Sequence, residues 1–266
     1  MTLTYSSTMK RKVRTDDWNW EELGRSTWTK IKECISKRDL EGALELVDYL
    51  LPEGKRIHDA YGDHISGMLT YIAEKFGEEE VYHIQWATAD LVIGGLLSMI
   101  QKVSVPEYVA LLAETMRSHR SGPGELGDIK IREEEDRFIM SFDPCGSGGR
   151  IRRAAELQSA LPRTEAFYNM GVTKKAYPWS WGKAGVPYYC THCCIMTEII
   201  AIERIGYPIR ITEYDDDPNN DCIWLIYKKK ELIPEMYFKR IGKSRPNYGD
   251  LRSVPGGNPG STSKPF

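Results

Sequence analysis

The sequence predicts an α+β protein, with an N-terminal helical bundle followed by a mixed α/β C-terminal half. Apolar residues recur at helical spacing over residues 26–120, and a glycine-rich segment, Ser121–Asp128, then interrupts the pattern. Short alternating stretches typical of strands follow that segment. We therefore predict an N-terminal arm at 1–25, a helical bundle domain at 26–120, an α+β domain at 128–243 and a flexible tail at 244–266.

Five helices with short connections are predicted in the first half. Trp28, Ile31 and Ile35 follow a helical period, and the pattern resumes at Leu40. We expect Pro52 to end the second helix, because proline lacks the backbone N–H that an interior turn uses. The predicted helices begin at Ser26, Leu40, Glu53, Glu78 and Pro106.

The second half alternates short strands with short helices. Two strands are expected on either side of a charged turn, and a later pair is expected to form a hairpin around an acidic loop. The predicted strands are Ile129–Ile131, Phe138–Phe142, Ile209–Tyr214 and Cys222–Tyr227, and the predicted helices are Arg150–Ala160 and Ile195–Ile205.

Composition narrows the class of protein. The chain has 266 residues, a net charge of −2, 41% hydrophobic and 28% charged residues, which is ordinary for a soluble globular protein and gives no basic surface for nucleic acid. The beginning of the chain has no signal-peptide pattern, and the longest apolar run, Leu91–Ile100, is too short to span a membrane. We expect a cytoplasmic protein with a small-molecule partner; a homo-oligomer is compatible with the pattern.

Six cysteines in a reducing compartment are better interpreted as metal ligands, nucleophiles or redox groups than as disulfides. One of them, Cys145, lies in a glycine-rich turn that leads into a predicted helix, where backbone N–H groups and the helix dipole lower a thiol pKa. We expect Cys145 to act as a nucleophile or ligand, and Arg150 to orient an anionic group. The alternative is a tight turn with an incidental cysteine.

The segment Cys190–Cys194 contains three of the six cysteines. Cys190 and Cys193 are three residues apart, and one turn of helix brings them close enough to chelate a single ion. The predicted ligands of a zinc or iron ion are Cys190, His192, Cys193 and Cys194. Glu198 is a candidate for moving protons. A thiol nucleophile, a redox pair and buried inert cysteines stay open as alternatives.

Aromatic residues crowd the approach to Cys190. They could form the wall of a pocket for a planar or apolar substrate, or they could fix a loop to the core by their rings. The residues concerned are Phe167, Tyr168, Tyr177, Trp179, Trp181, Tyr188 and Tyr189.

Residues 187–228 resemble the L-2-amino-thiazoline-4-carboxylic acid hydrolase-like family. The resemblance is carried by the cysteine-containing stretch Tyr189–Cys194, which opens a helix, and by the closing strand Asp221–Tyr227, which follows an acidic loop. It implies hydrolytic opening of a small ring that contains nitrogen or sulfur. We therefore expect a hydrolase acting on a small organic acid or heterocycle. The alternatives are a non-catalytic ligand, metal or redox sensor, and a structural metal site.

Overall fold

The computed structural model describes residues 2–8, 10–142, 144–153, 161–220 and 222–248. The chain divides into two compact units, residues 1–60 and the residues from 61 onward. Long helices in the N-terminal part and small sheets with short helices elsewhere confirm the predicted α+β class, while the predicted domain limits stay a prediction. In the described part of the chain, no helix is long and apolar enough to cross a membrane.

The first unit begins with a hairpin that sequence analysis missed. Strands β1 (Leu3–Ser6) and β2 (Arg11–Arg14) pair antiparallel within the predicted arm. Helices α1 (Trp20–Leu23) and α2 (Thr27–Ser36) follow. Neither strand has a fully buried side chain, and β2 has a single apolar residue, so no apolar face marks the hairpin in the sequence.

Helix α3 (Leu40–Phe76) is 37 residues long and contains Pro52 in its interior. The prediction that Pro52 ends a helix was therefore wrong. An interior proline loses one hydrogen bond and crowds the preceding turn, at a cost of about 3 kcal/mol. Apolar residues at helical spacing on both sides of it, such as the fully buried Leu46 and the buried Leu69, provide the packing that offsets this cost.

The predicted helices that begin near Glu78 and Pro106 are confirmed. Helices α4 (Glu79–Ala89) and α5 (Gly95–Ile100) are joined by a π-helical turn at Asp90–Gly94. Helix α6 (Val105–Ser118) begins with a capping box, in which Ser104 caps the Glu107 N–H and the Glu107 side chain accepts from the Ser104 N–H.

The second unit contains a four-stranded antiparallel sheet in the order β3-β4-β6-β5. The predicted strands and the predicted hairpin are confirmed, although each strand is short. Phe138 and Met140 alternate with half-buried residues along β4 and face the core. The strands are β3 (Lys130–Glu133), β4 (Arg137–Ser141), β5 (Ile211–Glu213) and β6 (Ile223–Tyr227).

One buried helical segment, which we call the cysteine helix, comprises α8 (Thr191–Cys194), a π-helical turn (Ile195–Ile200) and α9 (Ala201–Ile205). Every residue from 194 to 201 is buried, and its apolar side chains share one core with β4, β6 and α6. Two further short helices are α7 (Gly148–Arg152) and α10 (Glu235–Lys239). The remainder of the predicted helix after Arg150, at 154–160, and the tail beyond 248 lie outside the described residues.

Candidate thiol site

The two cysteine-bearing stretches meet where α7 begins and the cysteine helix begins. A Cβ atom added to Gly148 would lie 2.6 Å from Cys190 Sγ, a separation that real Cβ atoms do not show. Glycine at this position therefore lets the backbone of the Cys145 loop approach the Cys190 side chain closely.

Four cysteines form what we call the thiol cluster: Cys145, Cys190, Cys193 and Cys222. All four are free thiols. Burial, together with the neighbouring thiols, holds the pKa of Cys190 well above its ordinary value. Burial and Cys145 likewise raise the pKa of Cys222 to about 12. Two members of the cluster are therefore neutral thiols at physiological pH.

Cys193 has a different environment from the rest of the cluster. Its Sγ lies 3.5 Å from His192 Nε2 and 3.5 Å from Arg210 Nη2. His192 Nδ1 lies 2.5 Å from the Tyr189 carbonyl oxygen, which can only accept, so Nδ1 carries a hydrogen. This contact orients Nε2 towards the sulfur, where it accepts from the thiol or, once protonated, donates to the thiolate.

The charges around Cys193 favour its ionised form. Burial opposes ionisation, but His192 and the Arg210 guanidinium together lower the pKa of the Cys193 thiol to about 7. Burial would lower the pKa of His192, but the charge of Cys193 and the hydrogen bonds of the ring raise it overall. Each side chain therefore favours the charged form of the other.

Arg210, which precedes β5, packs on an aromatic ring beside this sulfur. The residue is buried, and its guanidinium carbon lies 3.4 Å from the centroid of the Trp224 ring. Trp224 in turn packs edge-to-face on Phe142, with ring centroids 4.7 Å apart. Sequence reasoning missed both Arg210 and Trp224. The available signal was a single arginine among the apolar residues of a predicted strand.

A second arginine, Arg152 of α7, lies against the thiol cluster. Its Nη1 is 3.9 Å from Cys222 Sγ, and its Nη2 donates to the Asp215 carbonyl oxygen at 2.6 Å. Its guanidinium carbon also lies 4.5 Å from the centroid of the Tyr214 ring, which stacks on Trp181. Cys222 and Cys190 therefore share a positively charged neighbour.

Arg150, which is predicted to orient an anionic substrate group, pairs with a carboxylate of the chain itself. It is 3% exposed, and its Nη2 donates to Asp63 Oδ1 at 2.5 Å. Arg163 Nε donates to the other oxygen of the same carboxylate at 3.2 Å. The anion that Arg150 contacts is thus a side chain of α3, and its role towards substrate stays a prediction.

Glu198 is fully buried in the π-helical turn of the cysteine helix. It accepts hydrogen bonds from Trp181 Nε1 at 2.9 Å, from the Thr212 N–H at 2.9 Å and from Arg240 Nη2 at 3.0 Å. Burial raises the pKa of this carboxyl and Arg240 opposes that rise. These contacts join the cysteine helix to β5 and to Arg240, which follows α10. The predicted role of Glu198 in moving protons stays a prediction.

The predicted metal ligands do not converge. Adjacent helix residues point about 100° apart, and Cys194 accordingly faces away from Cys193, its Sγ donating to the Pro178 carbonyl oxygen at 3.5 Å. Within the described ranges, no three His, Cys, Asp or Glu side chains are grouped so that they could hold a metal ion. The predicted set of Cys190, His192, Cys193 and Cys194 thus gives the zinc or iron prediction no geometric support.

The aromatic segment before Cys190 is attached to the beginning of α4. Tyr177 Oη and Tyr188 Oη both donate to the carboxylate of Glu78, at 2.8 and 2.9 Å. Tyr177 also stacks on Trp179, with ring centroids 4.5 Å apart. These contacts agree with a loop fixed by its rings, whereas Phe167 is 87% exposed and contributes to no enclosed wall.

Comparison with known proteins gives no information on function, so the functional argument depends on the contacts around the thiol cluster. No protein-family model, curated protein or solved structure matches this chain. The resemblance to the thiazoline-carboxylate hydrolase-like family stays a prediction, carried by the two stretches that contain Cys190, Cys193 and Cys222.

Proposed function

We propose that the protein is a hydrolase that uses the Cys193 thiolate as its nucleophile on a small organic acid or a nitrogen- or sulfur-containing heterocycle. One observation carries the proposal: Cys193 Sγ lies 3.5 Å from both His192 Nε2 and Arg210 Nη2. The thiolate, and not the thiol, is the nucleophilic form of cysteine, and a neighbouring imidazole activates it. This mechanism requires a reduced Cys193 thiol, and thiols stay reduced in the expected cytoplasmic location.

The arrangement supports a two-step hydrolysis. In the first step the Cys193 sulfur attacks the ring carbon of a C=N or C=O group, and a C–S bond forms. His192 donates its Nε2 proton to the leaving nitrogen or sulfur as the ring bond to that atom breaks. In the second step neutral His192 takes a proton from water, the water oxygen attacks the same carbon, and the C–S bond to Cys193 breaks. The net change is the addition of one water molecule.

A carboxylate on the substrate would need a cationic partner near this nucleophile. We assign this role to Arg152, because its guanidinium lies beside Cys222 in the thiol cluster. Arg150 is less suited, since it already pairs with Asp63. Glu198 is then a positioning residue, because its hydrogen bonds hold the cysteine helix against β5.

A redox sensor is the second candidate, and the clustering of four thiols favours it. One low-pKa thiolate beside high-pKa thiols is typical of a sensor in which the first cysteine is oxidised and a neighbour resolves it. Peroxide would convert Cys193 to a sulfenic acid, which condenses with a neighbouring thiol to give a disulfide and water. A sensor undergoes this reaction without turning over a heterocycle.

Trapping of the covalent intermediate tests the proposal. The full-length protein is incubated with a panel of thiazoline, cyclic amidine and lactam carboxylates, quenched with acid and analysed by intact and peptide mass spectrometry. We expect ring-opened product and an adduct on Cys193, both lost in Cys193→Ser and retained in the matched control Cys34→Ser. Turnover by Cys193→Ser at the wild-type rate would contradict the proposal.

The metal alternative is tested on the same protein. If a zinc or iron ion were bound by the cysteine helix, elemental analysis would find it in near-stoichiometric amount, and a chelator would expose its ligand thiols to alkylation. We expect Cys193 to be alkylated at the same rate before and after dialysis against a chelator. Faster labelling after chelation would favour the metal site.

A further inference from the structure

The part of α3 that belongs to the second unit, residues 61–76, buries only a narrow stripe of its surface. Gly62, Ser66 and Leu69 are buried, and the Ser66 hydroxyl donates to the Gly62 carbonyl oxygen at 2.7 Å. Larger side chains lie on the opposite, exposed side. A helix of a globular protein usually turns its large apolar side chains inward, so this arrangement points to a second contact on the exposed side.

Five exposed side chains form what we call the outer face of α3. They are Tyr61, His64, Met68, Tyr71 and Lys75. The exposed fractions of Tyr61, Met68 and Tyr71 are 68%, 48% and 57%. The five positions follow one another at alternating steps of three and four residues, so they form a single seam along the helix. This is the spacing through which two helices pair in a coiled coil.

A glycine borders the outer face. Gly67 is exposed in the interior of α3, and a Cβ atom added to it would meet no heavy atom within 4 Å. Its φ is not positive, so its backbone conformation does not require glycine. Glycine costs about 1 kcal/mol relative to alanine in such a position. The close approach of a second helix is a physical reason for its presence, because glycine lets another backbone come near.

We propose that the outer face binds the same face of a second copy of the chain, as an antiparallel pair of α3 helices. A two-fold axis passes near Gly67 and Met68 and makes the contact isologous. The proposal is independent of the thiol chemistry, because it uses none of the residues around Cys193.

The two ends of the outer face are complementary in chemistry, which favours the antiparallel arrangement. In that pair Lys75 of one copy lies against the Tyr61 ring of the other, and His64 lies opposite Tyr71. A lysine ammonium is attracted to the face of a tyrosine ring, and Lys75 Nζ already lies 5.7 Å from the centroid of the Tyr71 ring within one chain. A parallel pair would set Lys75 against Lys75.

The area of the outer face fits a reversible dimer. A fully buried tyrosine covers about 150–250 Å², so the exposed parts of Tyr61 and Tyr71 together provide roughly 200–300 Å² per copy. With the other three side chains, the pair reaches the low end of protein–protein interfaces, which bury less than about 1,200 Å² in total. We therefore expect monomer and dimer to exchange.

Sedimentation velocity of the full chain under reducing conditions, between about 1 and 200 µM, tests the contact. We expect a monomer at the lowest concentration and a dimer at the highest. Met68→Lys places two like charges next to each other at the two-fold axis, and it should raise the dissociation constant of the dimer at least tenfold. The matched control Met236→Lys, at an exposed methionine of α10, should change it less than twofold.

The variant Gly67→Gln separates the stability of one chain from pairing. At a concentration where the wild type is monomeric, it should raise the unfolding temperature, because glutamine is a better helix former than glycine. It should also weaken the dimer at least fivefold, since its side chain occupies the space that the second helix approaches. A higher unfolding temperature with unchanged dimerisation would contradict the close approach at Gly67.

Cross-linking tests the orientation of the pair. After mild oxidation with diamide, Met68→Cys should form a disulfide-linked dimer, because residue 68 lies near the two-fold axis. Tyr61→Cys should not, since the two copies of residue 61 are about 20 Å apart along an antiparallel pair. The wild type treated in the same way reports cross-linking by the native cysteines. The proposal is overturned if the chain is monomeric at every concentration, if Met68→Lys dimerises as the wild type does, or if Tyr61→Cys cross-links as readily as Met68→Cys.

Discussion

Cys193 Sγ lies 3.5 Å from Nη2 of Arg210, a residue 17 positions later in the chain. The cysteine belongs to the cysteine helix, and the arginine precedes β5 and stacks on Trp224 of β6. The packing of that helix against the sheet therefore brings a fixed positive charge to one of four clustered thiols. This contact distinguishes Cys193 from Cys190, whose pKa burial holds well above its ordinary value.

Removing the charge of Arg210 should slow the reaction of Cys193. An opposite charge at this distance shifts a pKa by about one unit or more, so Arg210→Gln should reduce the thiolate fraction at pH 7 about fivefold. We expect a fivefold slower rate of iodoacetamide labelling of Cys193 at pH 7 and an unchanged rate at pH 10, where the thiolate is fully formed in both proteins. The measurement is peptide mass spectrometry of timed samples.

The matched control for this variant is Arg152→Gln, because Arg152 lies beside Cys222 in the same cluster. It should change the labelling rate of Cys193 at pH 7 less than twofold. Equal effects of the two substitutions would mean that the net charge of the cluster, and not the contact with Arg210, controls the reactivity of Cys193.

The substitution Glu198→Gln should destabilise the fold. It keeps the shape of the side chain but leaves Arg240 without its buried partner, a change that costs about 3 kcal/mol in comparable ion pairs. Urea denaturation followed by circular dichroism measures the free energy of unfolding. The control Glu203→Gln breaks a partly exposed pair with Lys243 and should cost less than about 1 kcal/mol. Equal costs would show that Glu198 does not hold the cysteine helix in place.

Stability should fall as the pH rises above about 8.5, the ordinary pKa of a cysteine in an unfolded chain. Burial raises the pKa of Cys190 and of Cys194, so the folded chain keeps protons that the unfolded chain releases. Each such thiol contributes stability below that pH and loses about 1.4 kcal/mol per pH unit above it. Urea denaturation between pH 8 and 10.5 should show this slope.

Two alanine variants separate the contributions to that slope. Cys194→Ala removes one buried thiol and should flatten the slope above pH 9. The pKa of Cys193 is lowered, so its contribution to stability changes between about pH 7 and 8.5 and is constant above that range. Cys193→Ala should therefore leave the slope above pH 9 unchanged. A flattening by both variants would refute this assignment.

Most elements of the fold could be predicted because their signals are local. The helical spacing of apolar residues predicted α2, α4 and α6, and the alternation of apolar and polar residues predicted β4 and β6. Pro52 was misjudged because its local cost is offset by packing at more distant positions of α3, such as Leu46 and Leu69, which a short stretch of sequence around the proline does not reveal. The β1–β2 hairpin was missed because neither strand has a fully buried side chain and β2 has a single apolar residue, so no apolar face marks it in the sequence.

The candidate site was predicted less completely, because it depends on contacts between distant segments. Local spacing drew attention to Cys145, Cys190 and Cys193. The neighbours of these thiols are set by tertiary packing, which brings in Arg210 and turns Arg150 towards Asp63. Spacing also suggested that Cys193 and Cys194 act together, whereas the helical rotation between them directs Cys194 to the Pro178 carbonyl.

The pH dependence of Cys193 alkylation tests the central claim most directly. The full-length protein is labelled with iodoacetamide at a series of pH values from 5 to 10, and the rate at each cysteine is followed by peptide mass spectrometry. If His192 and Arg210 stabilise the thiolate, the rate at Cys193 rises through a midpoint at about pH 7 and reaches a plateau, while Cys190 stays unreactive over the same range. A midpoint at about 8.5 or above, the value of an ordinary cysteine, would contradict the account.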